Sequence, residues 1–436
     1  MTLAAPGRHD FRANTEVVGL CSDLLKINTS NPTHGERAAA EYVAAALSEV
    51  GISCEWFEPE PQRTSIVARL PGSDRTLPPL LVHAHLDVVP AVAEDWSVDP
   101  FGGVVEDGYV WGRGAVDMKG MVAAMVAVAR SYRADGLLPH RDIVMAFFAD
   151  EEAGGRFGAE HVVGTRPDLF AGCEDAIGEV GGFSHRLSPD RRCYLVSTAE
   201  KGALWARLDA SGRAGHGSML NDDNAVSAVC QAVSRIAEHD FPREVSPTVR
   251  LFLDRVAELL GVPGGDIDDL MDRLGPLAKM IRASTQDTCN PTSISGGYKA
   301  NVVPSRAAAT VDGRFLPGHE DAFARELHRL AGDRVSVETI FQGPAVESPW
   351  DVPLVEHMQR ALQREDPEAV IVPYMSTAFT DAKWISRLGI RCYGFSPLLL
   401  PDDLDFTALF HGVDERVPVS ALHFSVAVLR NLFDEY

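Results

Sequence analysis

The sequence predicts an α/β protein built on a mostly parallel sheet with flanking helices, into which a smaller α+β unit is inserted. Three observations support this prediction. Short apolar strands alternate with helical stretches up to residue 199, strand-rich segments replace this alternation after residue 200, and the alternation returns after Pro344. Strands that alternate with helices are typical of parallel sheets covered by helices. We therefore expect one domain at 1–199 and 344–436 and an inserted domain at 200–343.

The elements of the larger domain are recognised by apolar periodicity and by Gly or Pro at their ends. We predict helices at 14–50, with an Asn-Pro break at 31–32, and at 118–136, 351–365 and 419–433. Buried strands are predicted at 64–70, 79–85 and 142–150, and within AVIVPY (369–374) and GIRCYGF (389–395).

The sequence of the inserted domain predicts a strand, a helix, two strands of a hairpin, a helix and a final strand, in that order. These elements are predicted at 201–212, 224–239, 289–304, 305–318, 319–332 and 334–343. The order βαββαβ is that of a ferredoxin-like unit. An acidic helical insert at about 245–285 separates the first helix from the hairpin, and the sequence assigns no role to it.

The composition excludes several classes of partner. The chain has 62 acidic and 40 basic residues, for a net charge of −22. Nucleic acid and anionic membranes both require a basic surface, so we expect neither as a partner. The net charge does not bear on a small-molecule substrate, which senses only the local charge of its site. The seven cysteines form no CxxC pair, which favours free thiols in a reducing cytoplasm. The N-terminus does not resemble a signal peptide, and no apolar run is long enough to span a membrane.

Polar residues that could bind a metal follow the predicted strands or lie in loops. They are His83, His85 and Asp87 in PLLVHAHLDVVP, Asp117 in GRGAVDMKG, Glu151 and Glu152 in FFADEEAGG, Glu179 in DAIGEVGGFS, and His411 in ALFHGVDE. Open α/β sheets place ligand sites at the carboxyl ends of their strands. The imidazoles of His85 and His411 and the carboxylates of Asp117, Glu152 and Glu179 suit zinc, but five ligands are too many for one tetrahedral ion. They suit two ions if one carboxylate bridges, and paired ions generate a hydroxide nucleophile near neutral pH.

The remaining polar residues of this set are expected to support the ligands. Glu151 is adjacent to the ligand Glu152 but points elsewhere, because neighbouring side chains diverge, so we predict that Glu151 is the general base. Asp87 follows His85 by two residues and would orient the imidazole ring of that ligand. For His83, a supporting or core role is commoner than metal binding.

Taken together, nine stretches resemble the M20 metallopeptidase family, which includes glutamate carboxypeptidase, succinyl-diaminopimelate desuccinylase, acetylornithine deacetylase and aminoacylase-1. The stretches are HAHLDVVP, VWGRGAVDMKG, ADEEAGG, GEVGG, SGRAGHGSM, GGYKANVVPS, VDGRFLPG, FTDA and HGVDER, and they span residues from about 80 to about 416. The resemblance implies a zinc-peptidase-like catalytic domain with two Zn²⁺ ions per chain, for which Co²⁺ or Mn²⁺ can substitute.

The resemblance also implies how the ligands are shared. Asp117 would bridge the two ions, His85 and Glu179 would complete the first, and Glu152 and His411 would complete the second. In the same way it implies that Glu151 is the base and that Asp87 orients His85.

The inserted domain would be the family's lid and dimerisation domain, so the resemblance implies a homodimer. His216 in AGHGSM would stabilise the tetrahedral oxyanion in the active site of the neighbouring copy. Asn301 and Arg314 would hold the α-carboxylate of the substrate, a role that suits the forked guanidinium group. The sequence departs from the family at Phe379, which occupies the position of a small residue before Thr-Asp-Ala.

We therefore expect a di-zinc hydrolase that cleaves an amide bond next to a free carboxylate, in a dipeptide or an N-acyl amino acid. The alternative within the family is a metal-binding but inactive relative, and an intact Glu151 argues against it. A nucleotide-binding protein would need a GK[ST] or GxGxxG motif where VWGRGAVDMKG stands. A serine hydrolase acting through Ser218 would need a GxSxG elbow, which GHGSM does not provide.

Overall fold

The computed structural model describes residues 10–188, 191–262, 267–274 and 277–436. Residues 1–9 and 189–190 of the predicted catalytic domain, and 263–266 and 275–276 of the predicted acidic insert, lie outside the described residues. The helices are α1 (Asp10–Leu25), α2 (Arg37–Ser48), α3 (Lys119–Asp135), α4 (Ala159–Thr165), α5 (Ala225–Ala237), α6 (Pro247–Leu260), α7 (Ile267–Arg273), α8 (Leu277–Ala283), α9 (Glu320–Ala331), α10 (Pro353–Glu365), α11 (Ala382–Ile385) and α12 (Val419–Glu435).

The described residues also form strands β1 to β19, numbered in chain order. They are β1 (Cys54–Glu60), β2 (Arg63–Leu70), β3 (Leu80–His85), β4 (Val104–Glu106), β5 (Tyr109–Trp111), β6 (Ile143–Phe148), β7 (Asp175–Gly178), β8 (Phe183–Ser188), β9 (Arg191–Glu200), β10 (Gly202–Ser211), β11 (Gly215–His216), β12 (Thr288–Gly296), β13 (Val302–Val303), β14 (Arg306–Phe315), β15 (Ser336–Gly343), β16 (Val346–Glu347), β17 (Ile371–Ser376), β18 (Arg391–Gly394) and β19 (Arg416–Pro418).

The larger sheet has a parallel centre. Its order is β1-β2-β6-β3-β7-β18-β9-β16, and β8 and β17 also pair with β9. The four strands β6, β3, β7 and β18 run parallel to one another. The strands next to this group, β2 and β9, pair with it in the antiparallel direction, and β1 is antiparallel to β2. Every residue of β3 and β6 is buried, as expected for strands covered on both faces. The predicted α/β class with a mostly parallel sheet is confirmed.

Helices cover this sheet. Helix α3 packs with α1 and α12, and its apolar residues are buried along nearly its whole length. It ends at Gly136, which has φ of 68° in the left-handed region that glycine adopts without steric cost. The other face is covered in part by α4 and α11, whose apolar residues join a core with Leu81 and Val144. In the described parts of the chain, no helix has the length and apolar character needed to cross a membrane.

The smaller sheet is antiparallel, with the order β12-β14-β10-β15. Helices α5 and α9 pack on it, and residues such as Leu204, Val229 and Phe323 form its core. The side chain of Asn224 caps α5 by accepting hydrogen bonds from the N–H groups of the next turn. Strand order and helix placement are those of the predicted βαββαβ unit. Strands β11 and β13 pair in a separate two-stranded ribbon.

The acidic insert packs against the larger sheet, although chain order places it within the smaller unit. Helix α6 contacts β17 and β9, and its residues Val249, Phe252 and Val256 are buried in the main core. Leu270 of α7 and Ile281 of α8 belong to the same core. The insert thus supports the larger sheet at strands β17 and β9.

Candidate metal centre

The predicted ligands meet at the carboxyl ends of three adjacent parallel strands. His85 is the last residue of β3, Glu152 follows β6 after a short turn, and Glu179 directly follows β7. Because β6, β3 and β7 are neighbours, these ends lie at one edge of the sheet. Asp117 lies in the loop before α3, and His411 lies in the loop before β19.

His85, Asp117 and Glu179 form the first cluster. The Nε2 atom of His85 lies 3.0 Å from Oδ1 of Asp117 and 3.3 Å from Oε2 of Glu179. His85 and Glu179 are buried, and the ligand atoms of the three residues are all within 4.8 Å of one another. This spacing is short enough for one cation to contact all three side chains.

Asp117, Glu152 and His411 form the second cluster. The Nε2 atom of His411 lies 3.3 Å from Oδ2 of Asp117 and 3.1 Å from Oε2 of Glu152. Asp117 therefore presents one carboxylate oxygen to each histidine and belongs to both clusters. This is the placement that a bridging ligand requires.

The electrostatics of the clusters favour a bound cation. Burial lowers the pKa of His85, but the Glu179 and Asp117 carboxylates outweigh it and hold that pKa well above its ordinary value. Hydrogen bonds to Asp117 and Glu152 raise the pKa of His411 to about 10. Burial, together with the charge of Asp117, raises the pKa of Glu152 to about 7. Each cluster thus draws positive charge into the site, and a divalent ion would take the place of the imidazole protons.

The donor set fits two divalent ions. Two imidazole nitrogens and three carboxylates are ligands that zinc accepts, and Oε1 of Glu152 is buried without a hydrogen-bond partner. A buried carboxylate oxygen without a partner is costly unless a cation satisfies it.

Glu151 lies beside the two clusters without belonging to either of them. Its side chain is buried, and its Oε1 atom has no hydrogen-bond partner and lies 3.6 Å from Nζ of Lys383. Lys383 is fully buried, donates to the carbonyl of Thr380 at 3.0 Å, and lies 4.1 Å above the ring of Phe379. Glu200 anchors the same loop, because its carboxylate accepts from the N–H and hydroxyl of Thr380.

Asp87 connects the ligand His85 to the turn that carries Glu151 and Glu152. The Nδ1 atom of His85 lies 2.9 Å from the backbone oxygen of Asp87 and 3.5 Å from its carboxylate. The carboxylate itself accepts from the backbone N–H groups of Glu151 and Glu152, both at 3.1 Å, and from Nδ2 of Asn31 at 2.9 Å. Asp87 thus contacts both the histidine ring and the backbone of the two glutamates, which is the placement that its predicted orienting role requires.

A buried ion pair joins the loops that carry Asp117 and His411. Nη1 of Arg113 donates to Glu415 at 2.6 Å, and its Nη2 donates to the carbonyls of His411 and Gly412. Glu415, which has no exposed surface, also accepts from the backbone N–H groups of residues 114, 116 and 117 at 3.0, 2.7 and 3.1 Å. Sequence reasoning missed this pair, although both residues lie within the motifs GRGAVDMKG and HGVDER.

Three residues at the site have backbone conformations that are unfavourable for side chains other than glycine. Asp150, Val180 and His411 have φ of 66°, 57° and 57°. Asp150 precedes the two glutamates, and Val180 follows the ligand Glu179. Such conformations cost about 1–3 kcal/mol each and persist where surrounding contacts impose them, commonly at functional sites.

A cavity of about 380 Å³ opens onto both clusters. Four of the five ligands line it, His85 excepted, together with Glu151 and Arg314. The apolar part of its wall includes Val180, Phe183, Trp205, Met280, Phe379 and Phe410. Its size is at the lower end of the range of pockets that hold small molecules, roughly 300–1,000 Å³.

The predicted substrate-binding residues, Asn301 and Arg314, and the predicted oxyanion donor, His216, do not lie together in the structure. Arg314 lines the cavity, where Nε and Nη2 donate to Asp312 at 2.7 and 3.1 Å and the guanidinium lies 4.8 Å from the ring centre of Phe379. His216 and Asn301 are exposed on the β11–β13 ribbon and are not among the residues that line the cavity. Nδ1 of His216 lies 2.8 Å from the hydroxyl of Ser218.

The structure also shows where His83 and Phe379 lie, the two residues that the sequence analysis singled out beside the ligands. His83 is buried, its pKa is lowered to about 3 by burial, and it belongs to neither ligand cluster of the described residues. Phe379 forms part of the cavity wall and packs against Trp205 and Phe341 at ring-centre distances of 5.8 and 5.3 Å.

The chain is similar to known proteins over most of its length. The profile of peptidase family M20/M25/M40 matches residues 81–435. A probable carboxypeptidase S-like 2 of Dictyostelium discoideum is 30% identical over 380 residues, which cover 81% of this chain and 71% of that protein. Aminoacylase-1 of Sus scrofa is 28% identical over 415 residues, which cover 92% of this chain and 90% of that protein. The crystal structure of the M20 family metallo-carboxypeptidase Sso-CP2 from Sulfolobus solfataricus has the same fold, with a TM-score of 0.76 at 17% identity over 96% of this chain and 98% of that one.

Proposed function

The chain belongs to peptidase family M20/M25/M40, and from this membership we propose that it is a di-zinc hydrolase cleaving an amide bond next to a free carboxylate. Its substrate would be a dipeptide or an N-acyl amino acid, in keeping with its similarity to aminoacylase-1 and to a probable carboxypeptidase. One observation carries the proposal: two ligand clusters share Asp117, and Glu151 stands beside them in the same cavity.

Two divalent ions would be held by the side chains already described. His85 and Glu179 would hold the first, Glu152 and His411 the second, and Asp117 would give one oxygen to each. When bound, Zn²⁺, or Co²⁺ or Mn²⁺ in its place, would activate water near neutral pH and polarise the amide carbonyl.

Glu151 is the group that we assign to proton transfer. It would accept a proton from the attacking water and pass it to the nitrogen of the leaving amine. Burial raises the pKa of Glu151, which makes its carboxylate a stronger base than one in water. The ammonium group of Lys383, 3.6 Å away, opposes this shift and keeps the carboxylate available.

Arg314 is the group that we assign to the carboxylate of the substrate. Its guanidinium lines the cavity and is held in place by Asp312, and an arginine fork matches the two oxygens of a carboxylate. A substrate amidated at that carboxylate should therefore react poorly with the wild type, and Arg314→Ala should lose the preference for the acid. Equal wild-type rates on acid and amide would contradict this assignment.

His216 and Asn301 would act on the active site of a second copy in a homodimer. Both are exposed on the β11–β13 ribbon, and the cavity of their own chain is lined by other residues. A donor for the oxyanion must lie in a cleft that excludes water, which a neighbouring subunit would provide. The cytoplasm remains the expected location, and the seven free cysteines fit a reducing compartment.

A hydrolysis screen tests the proposed function. Dipeptides and N-acyl amino acids are offered to the protein with added Zn²⁺, Co²⁺ or Mn²⁺, and released amine is measured. Hydrolysis that a chelator abolishes is expected. Metal binding without hydrolysis of any member would favour the inactive relative.

Two adjacent variants provide matched controls for the chemistry. Glu151→Gln should keep both ions and lose about 10²–10⁴ in rate, because proton transfer is removed and the ligands are intact. Glu152→Gln should instead lower the metal content measured by elemental mass spectrometry. Exchanged phenotypes would show that the roles of the two acids are reversed.

A further inference from the structure

We propose that the cavity selects substrates with a bulky apolar group next to the scissile amide, and that Met280 of the helical insert is a specificity-determining residue for that group. This inference rests on the proposed hydrolase function and adds the chemical class of the substrate. It also gives a role to the acidic insert, which the catalytic chemistry does not use.

The polar groups of the cavity are already assigned to the two groups that all proposed substrates share, the scissile amide and the free carboxylate. The carboxylate and imidazole ligands face the amide that is cleaved, and Arg314 is assigned to the carboxylate. The other polar residues of the lining are Glu151, assigned to proton transfer, and the hydroxyl residues Tyr374, Ser376, Thr377 and Thr407, and the rest of the lining is apolar. A polar or charged group placed against such a wall would lose its hydration without gaining a partner, whereas an apolar group would gain by burial.

Aromatic side chains make this wall rigid. The ring centres of Phe183 and Phe406 are 5.0 Å apart, and those of Phe406 and Phe410 are 5.3 Å apart. Trp205 packs on Phe379 at 5.8 Å in the same cavity. Rings that pack on one another hold the shape of the wall before a ligand arrives, which is typical of small-molecule pockets.

The insert holds Met280 at this wall. The next residue of α8, Ile281, is buried in the main core. The end of the helix is anchored by Lys201, a fully buried residue whose ammonium group donates to the carbonyls of Ala283 at 3.1 Å and Gln286 at 2.8 Å. Lysine groups at a helix C-terminus satisfy its free carbonyls in this way. Met280 is therefore fixed in position along the backbone, while its unbranched thioether side chain can adapt to an apolar ligand.

The test begins with two series of substrates. In one, the acyl group of an N-acyl amino acid is lengthened from acetyl to octanoyl; in the other, the amino acid of an N-acetyl substrate is varied from glycine to alanine, leucine and phenylalanine. In at least one series kcat/KM should rise roughly three- to tenfold for each methylene until the cavity is filled. Flat profiles in both series would overturn the proposal.

Variants then test the role of Met280 in the series that rises. Met280→Gln should lower kcat/KM about tenfold for the largest apolar substrate and less than twofold for the smallest. Met280→Leu should retain the preference. The matched control is Lys279→Gln, which introduces the same residue at the neighbouring exposed position and should leave the profile unchanged. A Met280→Gln profile identical to that of the wild type would remove the assignment of this residue.

A binding measurement separates this inference from the proposed function. If no substrate is hydrolysed, the proposed function fails, and calorimetry with acetate and octanoate decides the inference. Octanoate should bind at least tenfold more tightly than acetate, and Met280→Gln should reduce that ratio. Equal binding of the two carboxylates would overturn the proposal.

Discussion

The ion pair between Arg113 and Glu415 should control both the stability of the fold and occupancy of the second metal cluster. The Glu415 carboxylate has no exposed surface and accepts four hydrogen bonds. One comes from the Arg113 guanidinium and three come from backbone N–H groups in the loop that ends at Asp117. The same guanidinium donates to the carbonyl of His411. The pair therefore sets the distance between two ligands that are far apart in the sequence.

The expected magnitude follows from these contacts. Breaking a buried ion pair by removing one partner costs about 3–5 kcal/mol, because the other charge remains buried. We expect Glu415→Ala to lower the free energy of unfolding by an amount in this range. Glu415→Gln should lower it by about 2–3 kcal/mol, since the amide retains one acceptor oxygen. The matched control is Glu49→Gln, which removes the charge of a carboxylate that is 67% exposed and paired with Arg130. That change should cost less than about 1 kcal/mol.

Two assays check this prediction. Urea unfolding in the presence of a chelator measures the effect on the fold without metal, and elemental mass spectrometry measures the ions retained by the folded variant. Glu415→Gln should lose metal preferentially at the cluster of Asp117, Glu152 and His411, so its content should fall towards one ion per chain. A variant that unfolds like the wild type, or that keeps two ions with unchanged affinity, would refute the reasoning.

Three further predictions concern the ligands, the buried acids and assembly. Asp117→Ala should lose ions from both clusters because Asp117 belongs to both, and two tightly held ions in that variant would exclude a shared ligand. Burial raises the pKa of Glu200 from 4.5 to about 7, so its contribution to stability is complete below pH 4.5 and is lost as the pH rises through 7. As the pH rises from about 5 to 8, the free energy of unfolding should therefore fall less for Glu200→Gln than for the wild type, by up to about 3 kcal/mol, when both are unfolded in urea. Unfolding free energies that fall equally with pH in the two proteins would contradict this. In mixed dimers of His216→Ala and Glu151→Ala chains, one active site in two should recover if His216 acts on its neighbour, and verified heterodimers without activity would exclude that arrangement.

Three of the five predicted ligands could be placed from the sequence because each lies at the end of a strand whose apolar run is clear, whereas Asp117 and His411 lie in loops. His85 ends such a strand, and Glu152 and Glu179 follow two others, so the parallel sheet alone brings them to one edge. Strands β1 and β9 were not predicted. The side chains of β1 are mostly exposed at the sheet edge, and β9 pairs with the preceding strand β8 as well as with strands that are distant in the chain.

Arg113, Glu415 and Lys383 could not be predicted as parts of the site, because their partners are distant in the sequence. Nothing in the motif around Arg113 indicates a partner about 300 residues later, and only the folded chain pairs it with Glu415. Lys383 reads as a surface residue of a short helix but is fully buried beside Glu151. The acidic composition of the insert favours a solvated helix, whereas Met280 comes from a face that the larger sheet covers.

The position of the insert limits how the two sheets can move relative to each other. Helices α6 to α8 pack on the larger sheet but lie in the chain between α5 and β12 of the smaller one. Four chain crossings therefore connect the two parts, instead of the two that a simple insertion would have. A wide hinge opening would have to bend all four crossings at once, and it would also have to pull Lys201 away from the end of α8. We therefore expect substrate to enter through local movement of the loops that border the cavity, with the smaller sheet held close to a fixed orientation.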